Sequence, residues 1–261
     1  MRGLSGDVLH PDVLDIFDQL ADRDEFWLAL VAKDLARELH QRSLLRSIEL
    51  DFDSARAIAS VFKDITDFRS RFTATHSMGV AVCARGIAEK LSFSGSDLQQ
   101  IELAGFLHDV GKLVVPNAIL CKPGKLTADE YAVIRQHTFY THRILSRVRG
   151  FEQIAEWASF HHERLDGSGY SANLGRHQLD LGAKIVAVAD VATAIAERRP
   201  YRGPGDEGAV LGALREMCGR NLLESVVIEA LSDHYAEIMG AMRVAQADDE
   251  SRYRTRYAAV Q

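Results

Sequence analysis

Gly105-Phe106-Leu107-His108-Asp109-Val110-Gly111-Lys112 is the stretch that decides the fold. A histidine and an aspartate stand side by side directly after the apolar residues Leu103, Ala104, Phe106 and Leu107. Neighbours on a helix diverge by about 100°, so both side chains reach one object only if it lies between their directions. A metal cluster meets that condition, because an imidazole gives one nitrogen and a carboxylate can bridge two ions. Gly111 suits a helix end, and Lys112 would set a mobile positive charge beside the site. Taken alone, the dipeptide reads more readily as a capped helix end with a surface His-Asp pair. The choice rests on what else converges there.

Working outward, the surroundings are helical. Five prolines in 261 residues, with many apolar positions spaced by three and four, leave little room for a sheet. The fold class expected is all-α, a helical bundle. His76, Val80, Cys83, Ile87 and Leu91 form one stripe of a helix over residues 75–91, with Phe72 a turn earlier. A histidine heading such a stripe is more often a core residue than a ligand. Ser94 to Asp97 caps the helix that bears His108 and Asp109. Thr127-Ala128-Asp129-Glu130 is a capping box opening a helix to about residue 147. That helix bears His137 and His142, about 140° apart, so both cannot readily face one site, and spacing does not choose between them.

Two further stretches concentrate chemistry. His161-His162-Glu163 follows Ile154, Ala155, Trp157 and Phe160, and Gly167 and Gly169 then let the backbone turn and present Tyr170. Adjacent histidines on a surface loop are common enough to carry little weight alone. Asp190 lies inside the apolar run from Ala183 to Ala192, where an ionised carboxylate costs several kcal/mol unless paired or metal-bound. That helix must stop by Arg199 because Pro200 follows, leaving Arg198, Arg199 and Arg202 on a turn around Tyr201. Residues 10–45 suggest roughly two helices, with Phe17, Leu20, Phe26 and Leu30 as core candidates and His10 and His40 at the surface. Residues 246–261 are polar and read as a loose tail.

Composition narrows the class. Hydrophobic residues at 47% and charged residues at 26% suit a soluble globular protein. A formal charge of −6 argues against a broad surface for DNA or RNA polymers. Cys83, Cys121 and Cys218 are widely spaced and odd in number, and read as reduced, buried thiols of a cytoplasmic protein. The first residues give no signal-peptide pattern, and the most apolar run is too short to span a bilayer. Ten histidines, several clustered, are the compositional excess, and they hint at metal.

Five motifs in order bring these threads together: Thr75-His76-Ser77, Leu107 to Lys112, Gln136-His137, His161-His162-Glu163 through Gly169-Tyr170, and Asp190 followed by Arg199-Pro200-Tyr201-Arg202. They resemble the HD-GYP family, a branch of the HD-type metal-dependent phosphohydrolases, over roughly residues 70–240. The resemblance implies a helical bundle of the HD-domain type that hydrolyses cyclic di-GMP at a two- or three-metal centre. It implies that His76, His108, Asp109 and Asp190 hold one metal, with Asp109 bridging and catalytic, and that His137, His161 and His162 hold the second, which selects His137 over His142. It places Lys112 near the scissile phosphate, and Tyr170, Arg199 and Arg202 on the nucleotide.

Two departures from the family pattern matter. The proline after Gly-Tyr is Ser171 here, which should loosen the loop. Three-metal members have a glutamate where this chain has Phe72, and a phenyl ring cannot ligate, so two divalent ions are expected. A nitrogen-rich, thiol-free donor set suits iron or manganese. Residues 1–65 read as a helical extension, the remnant of an upstream regulatory unit, 66–245 as the catalytic domain and 246–261 as the tail. A homodimer or a regulatory partner is compatible with the sequence. The alternatives are a sensor or docking module that binds the nucleotide without turnover, and an HD hydrolase of another nucleotide such as cyclic GMP-AMP.

Overall fold

Asp51, Ser94, Thr127, Asp180 and Asp206 each turn a side-chain oxygen onto the backbone N–H three residues ahead. Each satisfies one of the donors a helix start leaves free, and each opens a helix. Thr127 and Glu130 complete the expected capping box, with Glu130 accepting from the Thr127 N–H at 2.7 Å. The computed structural model describes residues 11–23, 27, 48–69, 75–197 and 203–257.

The chain divides into two compact units, residues 1–50 and 51–261. In the first, helix α1 (Pro11–Ala21) precedes Trp27, whose indole N–H donates to the Ala21 carbonyl and whose ring meets Phe17 edge-on. Leu20, expected in a core, is 37% exposed. Phe26, Leu30, His10 and His40 lie outside the described residues. The second unit contains α2 (Phe52–Phe68), α3 (His76–Lys90), α4 (Gly95–Leu107), a short 3-10 segment (Val110–Val114) and α5 (Asn117–Leu120). It continues through α6 (Ala128–Leu145), α7 (Glu152–Ser159), α8 (Leu181–Ala196), α9 (Glu207–Gly219), α10 (Ser225–Asp233) and α11 (Tyr235–Tyr257). An isolated bridge pairs Asp166 with Gly175, and no strand occurs among the described residues, so the fold is all-α as expected. None of the described helices is long and apolar enough to cross a membrane.

Helix α3 is the axis of this unit. It packs against α2, α4, α8, α10 and α11, and Val80, Ala81, Cys83, Ala84, Ile87 and Ala88 are fully buried. Its apolar stripe therefore wraps most of the helix, because neighbours cover it on several sides. Small residues permit the closest crossing: a Cβ on Gly105 would stand 2.4 Å from the Ala81 Cα. This packing sets the start of α3, with His76, beside the end of α4, with His108.

Three expectations change. The break falls after Leu50, not after Ile65, because α2 belongs to the second unit: the buried Lys63 ammonium lies 2.5 Å from Asp249 and 2.6 Å from Asp64. Residues 246–257 are helix rather than loose tail. Their polarity serves partners elsewhere in the unit, for Gln246 donates to the Thr75 carbonyl and to Glu197 as Asp249 takes the buried Lys63. Of the three cysteines only Cys83 is buried; Cys121 is exposed and Cys218 half-buried.

Candidate metal centre

The start of α3, the ends of α4 and α7 and the middles of α6 and α8 supply the clustered side chains. His108 caps the C-terminus of α4 with φ −55°, and Asp109 leaves the helix at φ −102°, ψ 5°. The pair therefore converges by breaking the helix after His108 and not as two helical neighbours. Gly111 has a different task from ending a helix. A Cβ there would lie 1.9 Å from the His137 carbonyl, so glycine lets the 3-10 segment press against α6. Thr141 locks this contact by accepting from the Gly111 N–H at 3.0 Å and donating to the His108 carbonyl at 3.0 Å.

The imidazoles are oriented by a repeated device. His108 Nδ1 lies 2.8 Å from the Gly105 carbonyl, His137 Nδ1 2.7 Å from Ile134 and His161 Nδ1 2.7 Å from Ala158. Each backbone acceptor fixes the proton on Nδ1 and leaves Nε2 as the lone-pair nitrogen. His76 differs: its Nδ1 lies 3.0 Å from Glu197 and its Nε2 3.1 Å from Asp190.

Among the described residues, three groups bring possible ligand atoms within 4.8 Å of one another: His137, His161 and His162; His76, His108 and Asp190; and His108, Asp109 and His161. His76, His108, Asp109, His137 and His161 are buried, whereas His162 and Asp190 are partly exposed. Asp109 joins the groups, with one carboxylate oxygen 3.2 Å from His108 Nε2 and the other 3.4 Å from His137 Nε2. That second oxygen, Oδ1, is buried without a hydrogen-bond partner. A buried carboxylate oxygen lacking a donor, facing imidazole lone pairs, is chemically incomplete and suits a cation. Lys112 places Nζ 2.5 Å from Asp109 Oδ2. His142, in contrast, is exposed and stacks on Phe160, ring centroids 6.0 Å apart, away from the cluster.

With protein groups alone, the two imidazole sets titrate oppositely. Burial disfavours a charged His76, yet the hydrogen bonds to Asp190 and Glu197 outweigh it and raise the pKa to about 10. Burial lowers His137 to about 4 and His162 to about 3, and holds His161 well below its ordinary value. Asp109 stays ionised despite burial because His108 and Lys112 stand beside it. Asp190 likewise overcomes burial through His76 and His162.

The loop bearing Tyr170 is held firmly. Glu163 accepts from the Ala172 N–H at 2.7 Å and the Leu174 N–H at 3.0 Å, so Ser171 does not leave it loose. Gly167 adopts φ +79°, and a Cβ on Gly169 would stand 2.4 Å from the Glu163 Cα. Tyr170 packs 4.9 Å from His162, with the Arg135 guanidinium 4.7 Å from its ring centroid. Arg199, Arg202 and Phe72 lie outside the described residues.

Several contributors escaped the sequence reading. Besides Glu197 and Thr141, Asp67 accepts from both the N–H and the hydroxyl of Ser77, anchoring the residue after His76. Arg69 donates to the Lys112 carbonyl at 2.8 Å and the Val115 carbonyl at 2.7 Å. Only the pairing of Asp67 and Arg69 just before a histidine helix could have hinted at this.

The family model "HD domain" matches residues 58–224. The chain is 34% identical over 232 residues to 3'3'-cGAMP-specific phosphodiesterase 1 of Vibrio cholerae, covering 87% of this chain and 53% of that protein. It is 34% identical over 196 residues to a cyclic di-GMP phosphodiesterase of Thermotoga maritima, covering 74% of this chain and 53% of that protein. The crystal structure of a cyclic GMP-AMP specific phosphodiesterase from V. cholerae superposes with a TM-score of 0.58 at 29% identity, covering 90% of this chain and 54% of that one. The chain thus spans about half the length of these relatives.

Proposed function

This chain belongs to the HD domain family, in its HD-GYP branch, and on that footing we propose that it is a metal-dependent phosphodiesterase that opens a cyclic purine dinucleotide. The observation that carries this reading is Asp109, a buried carboxylate with one oxygen unpartnered, set between two groups of imidazoles. In this reading His76, His108, Asp109 and Asp190 hold one divalent ion and His137, His161 and His162 a second. Ions bound there acidify water and offset charge on a phosphoryl group.

The protein's own groups have separable tasks. The Nδ1 contacts to backbone carbonyls hold the rings of His108, His137 and His161 with Nε2 turned towards the centre. Lys112, held by Asp109, stabilises negative charge on the phosphoryl oxygens. Tyr170, beside His162, contacts the nucleotide, and Arg199 and Arg202 donate paired hydrogen bonds to phosphate or guanine. The thiol-free donor set favours iron or manganese. Phe72, where a carboxylate would hold a further ion, keeps the count at two.

Relatives named for cyclic di-GMP and for 3'3'-cyclic GMP-AMP make both dinucleotides candidate substrates, and cyclic di-GMP is the one we put first. Opening of the ring should outpace cleavage of the linear product, whose added terminal phosphate charge finds no third cation. The test is metal analysis on anaerobically purified protein coupled to turnover of both dinucleotides, with linear and mononucleotide products separated. Two metals per chain and early accumulation of the linear dinucleotide are expected. Tight binding without turnover would instead establish a sensor, and a third occupied position in anomalous scattering would overturn the count. Replacing Arg199 and Arg202 with alanine should raise KM and leave the metals bound.

A further inference from the structure

One face of α6 runs past the metal centre with an unusual pattern. Tyr131, Arg135 and Phe139 recur every fourth residue, so they line up along the helix. All three are exposed, Tyr131 at 48% and Phe139 at 52%. Exposed rings scattered singly are ordinary, but two flanking an arginine in one row form a coherent surface. Tyr170 closes on the row from the facing loop, its ring 6.4 Å from Tyr131 and beneath the Arg135 guanidinium.

The Arg135–Tyr170 pair parts two clefts. One, about 570 Å³, is lined by Tyr131, Arg164, Arg220 and His162 as well as the dividing pair. Its arginines face a single acidic lining residue, Asp166, and that carboxylate already accepts from the Ser168 N–H and hydroxyl. The second, about 510 Å³, is lined by Gln136, Phe139, Tyr140 and Ser171 beside the same pair, with no acidic residue. Guanidinium groups offer planar donors that match a phosphate or the edge of a guanine, whereas aromatic rings offer a face to any base.

We propose that the row Tyr131–Arg135–Phe139, with Tyr170, is a nucleobase platform that seats the two halves of a cyclic dinucleotide in separate clefts. This rests on the phosphodiesterase reading and assigns its substrate-binding surface. The arginine-rich cleft, with His162 in its wall, takes the nucleotide whose phosphate meets the metal centre, and Arg220 reads that nucleotide. The cleft with Phe139 and Tyr140 stacks the distal base.

The test uses metal-loaded full-length protein with cyclic di-GMP as substrate and GMP as a one-nucleotide competitor. Arg220→Ala should raise KM about tenfold or more, as expected for a lost charged hydrogen bond. Phe139→Ala should raise KM about fivefold or more, the range for a lost base stack. Both variants should keep the wild-type metal content and melting temperature. GMP inhibition should weaken in Arg220→Ala and stay unchanged in Phe139→Ala, since GMP fills only the first cleft. An unchanged KM in Phe139→Ala overturns the distal cleft, and an unchanged KM in Arg220→Ala overturns the proximal one. Equal loss of GMP inhibition in both variants overturns the partition. If fully loaded wild-type protein neither binds nor cleaves the dinucleotide, the phosphodiesterase reading fails first and the platform with it.

Discussion

The two halves of the metal centre are built on different principles. Around His76 the orienting groups are carboxylates, Glu197 on Nδ1 and Asp190 on Nε2, and the ring is drawn towards its charged form. Around His137 and His161 the orienting groups are backbone carbonyls, and burial keeps the rings neutral. The hold on His76 can be altered by changing a side chain or the pH, because charge supplies it. The second half is fixed by the helices themselves, and no substitution removes a carbonyl. A proton competes for the first half at neutral pH, whereas the second presents free lone pairs.

Asp109 lies between the halves, one oxygen against His108 and the other against His137, so its loss should erase the distinction. Asp109→Ala is expected to remove most of the metal from both and to cut turnover by at least about a thousandfold; a variant with full metal and normal turnover would refute the centre. Glu197→Gln should split the halves apart. It weakens the hold on His76 alone, so one ion per chain should bind about 10–100-fold more weakly while the other is unchanged, as titration calorimetry can resolve. Uniform weakening of both ions would show that the halves act as one unit.

Acid and base should also tell them apart in the metal-stripped protein. His76 is raised in the folded state, so its contribution is complete below its ordinary pKa and is lost as pH rises towards about 10. His137 and His162 are lowered, so stability is lost as pH falls from about 6.5 towards their folded values near 4 and 3. Thermal melting should therefore peak near pH 6.5, and a flat profile across pH 5–9 would contradict the opposed charges. A smaller effect is expected from Arg69→Ala, which frees the carbonyls of Lys112 and Val115: a several-fold fall in kcat with metal content retained. His142→Ala should change neither metal nor turnover, and any loss of metal would mean that α6 presents another face.

How much of this was written in the sequence depends on whether the cause is local. The capping box at Thr127 and the Ser94 cap act within four residues, and the structure has both. Asp190 stood out because a carboxylate in an apolar helix needs a partner, and His76 is that partner, contributed from 114 residues away. Glu197, Thr141 and Arg69 were not legible, because a polar residue in a polar stretch carries no sign of the distant group it will meet. Gly111 was misread for the same reason: its need is room for the His137 carbonyl, which only the folded chain brings near. The C-terminal helix looked like a tail because the polar contacts that anchor it, Gln246 to Thr75 and Glu197 and Asp249 to Lys63, are long-range.

That last helix bears on the order in which the chain can be completed. Lys63 waits for Asp249, 186 residues further along, and until that helix is synthesised its buried ammonium lacks this partner, with Asp64 beside it. Every metal-binding side chain in the proposed centre is made before Asp249 is. On the ribosome, therefore, the imidazoles and carboxylates can gather while the helix that precedes them is still unlatched, and the clasp between α2 and α11 closes only once Asp249 has been made.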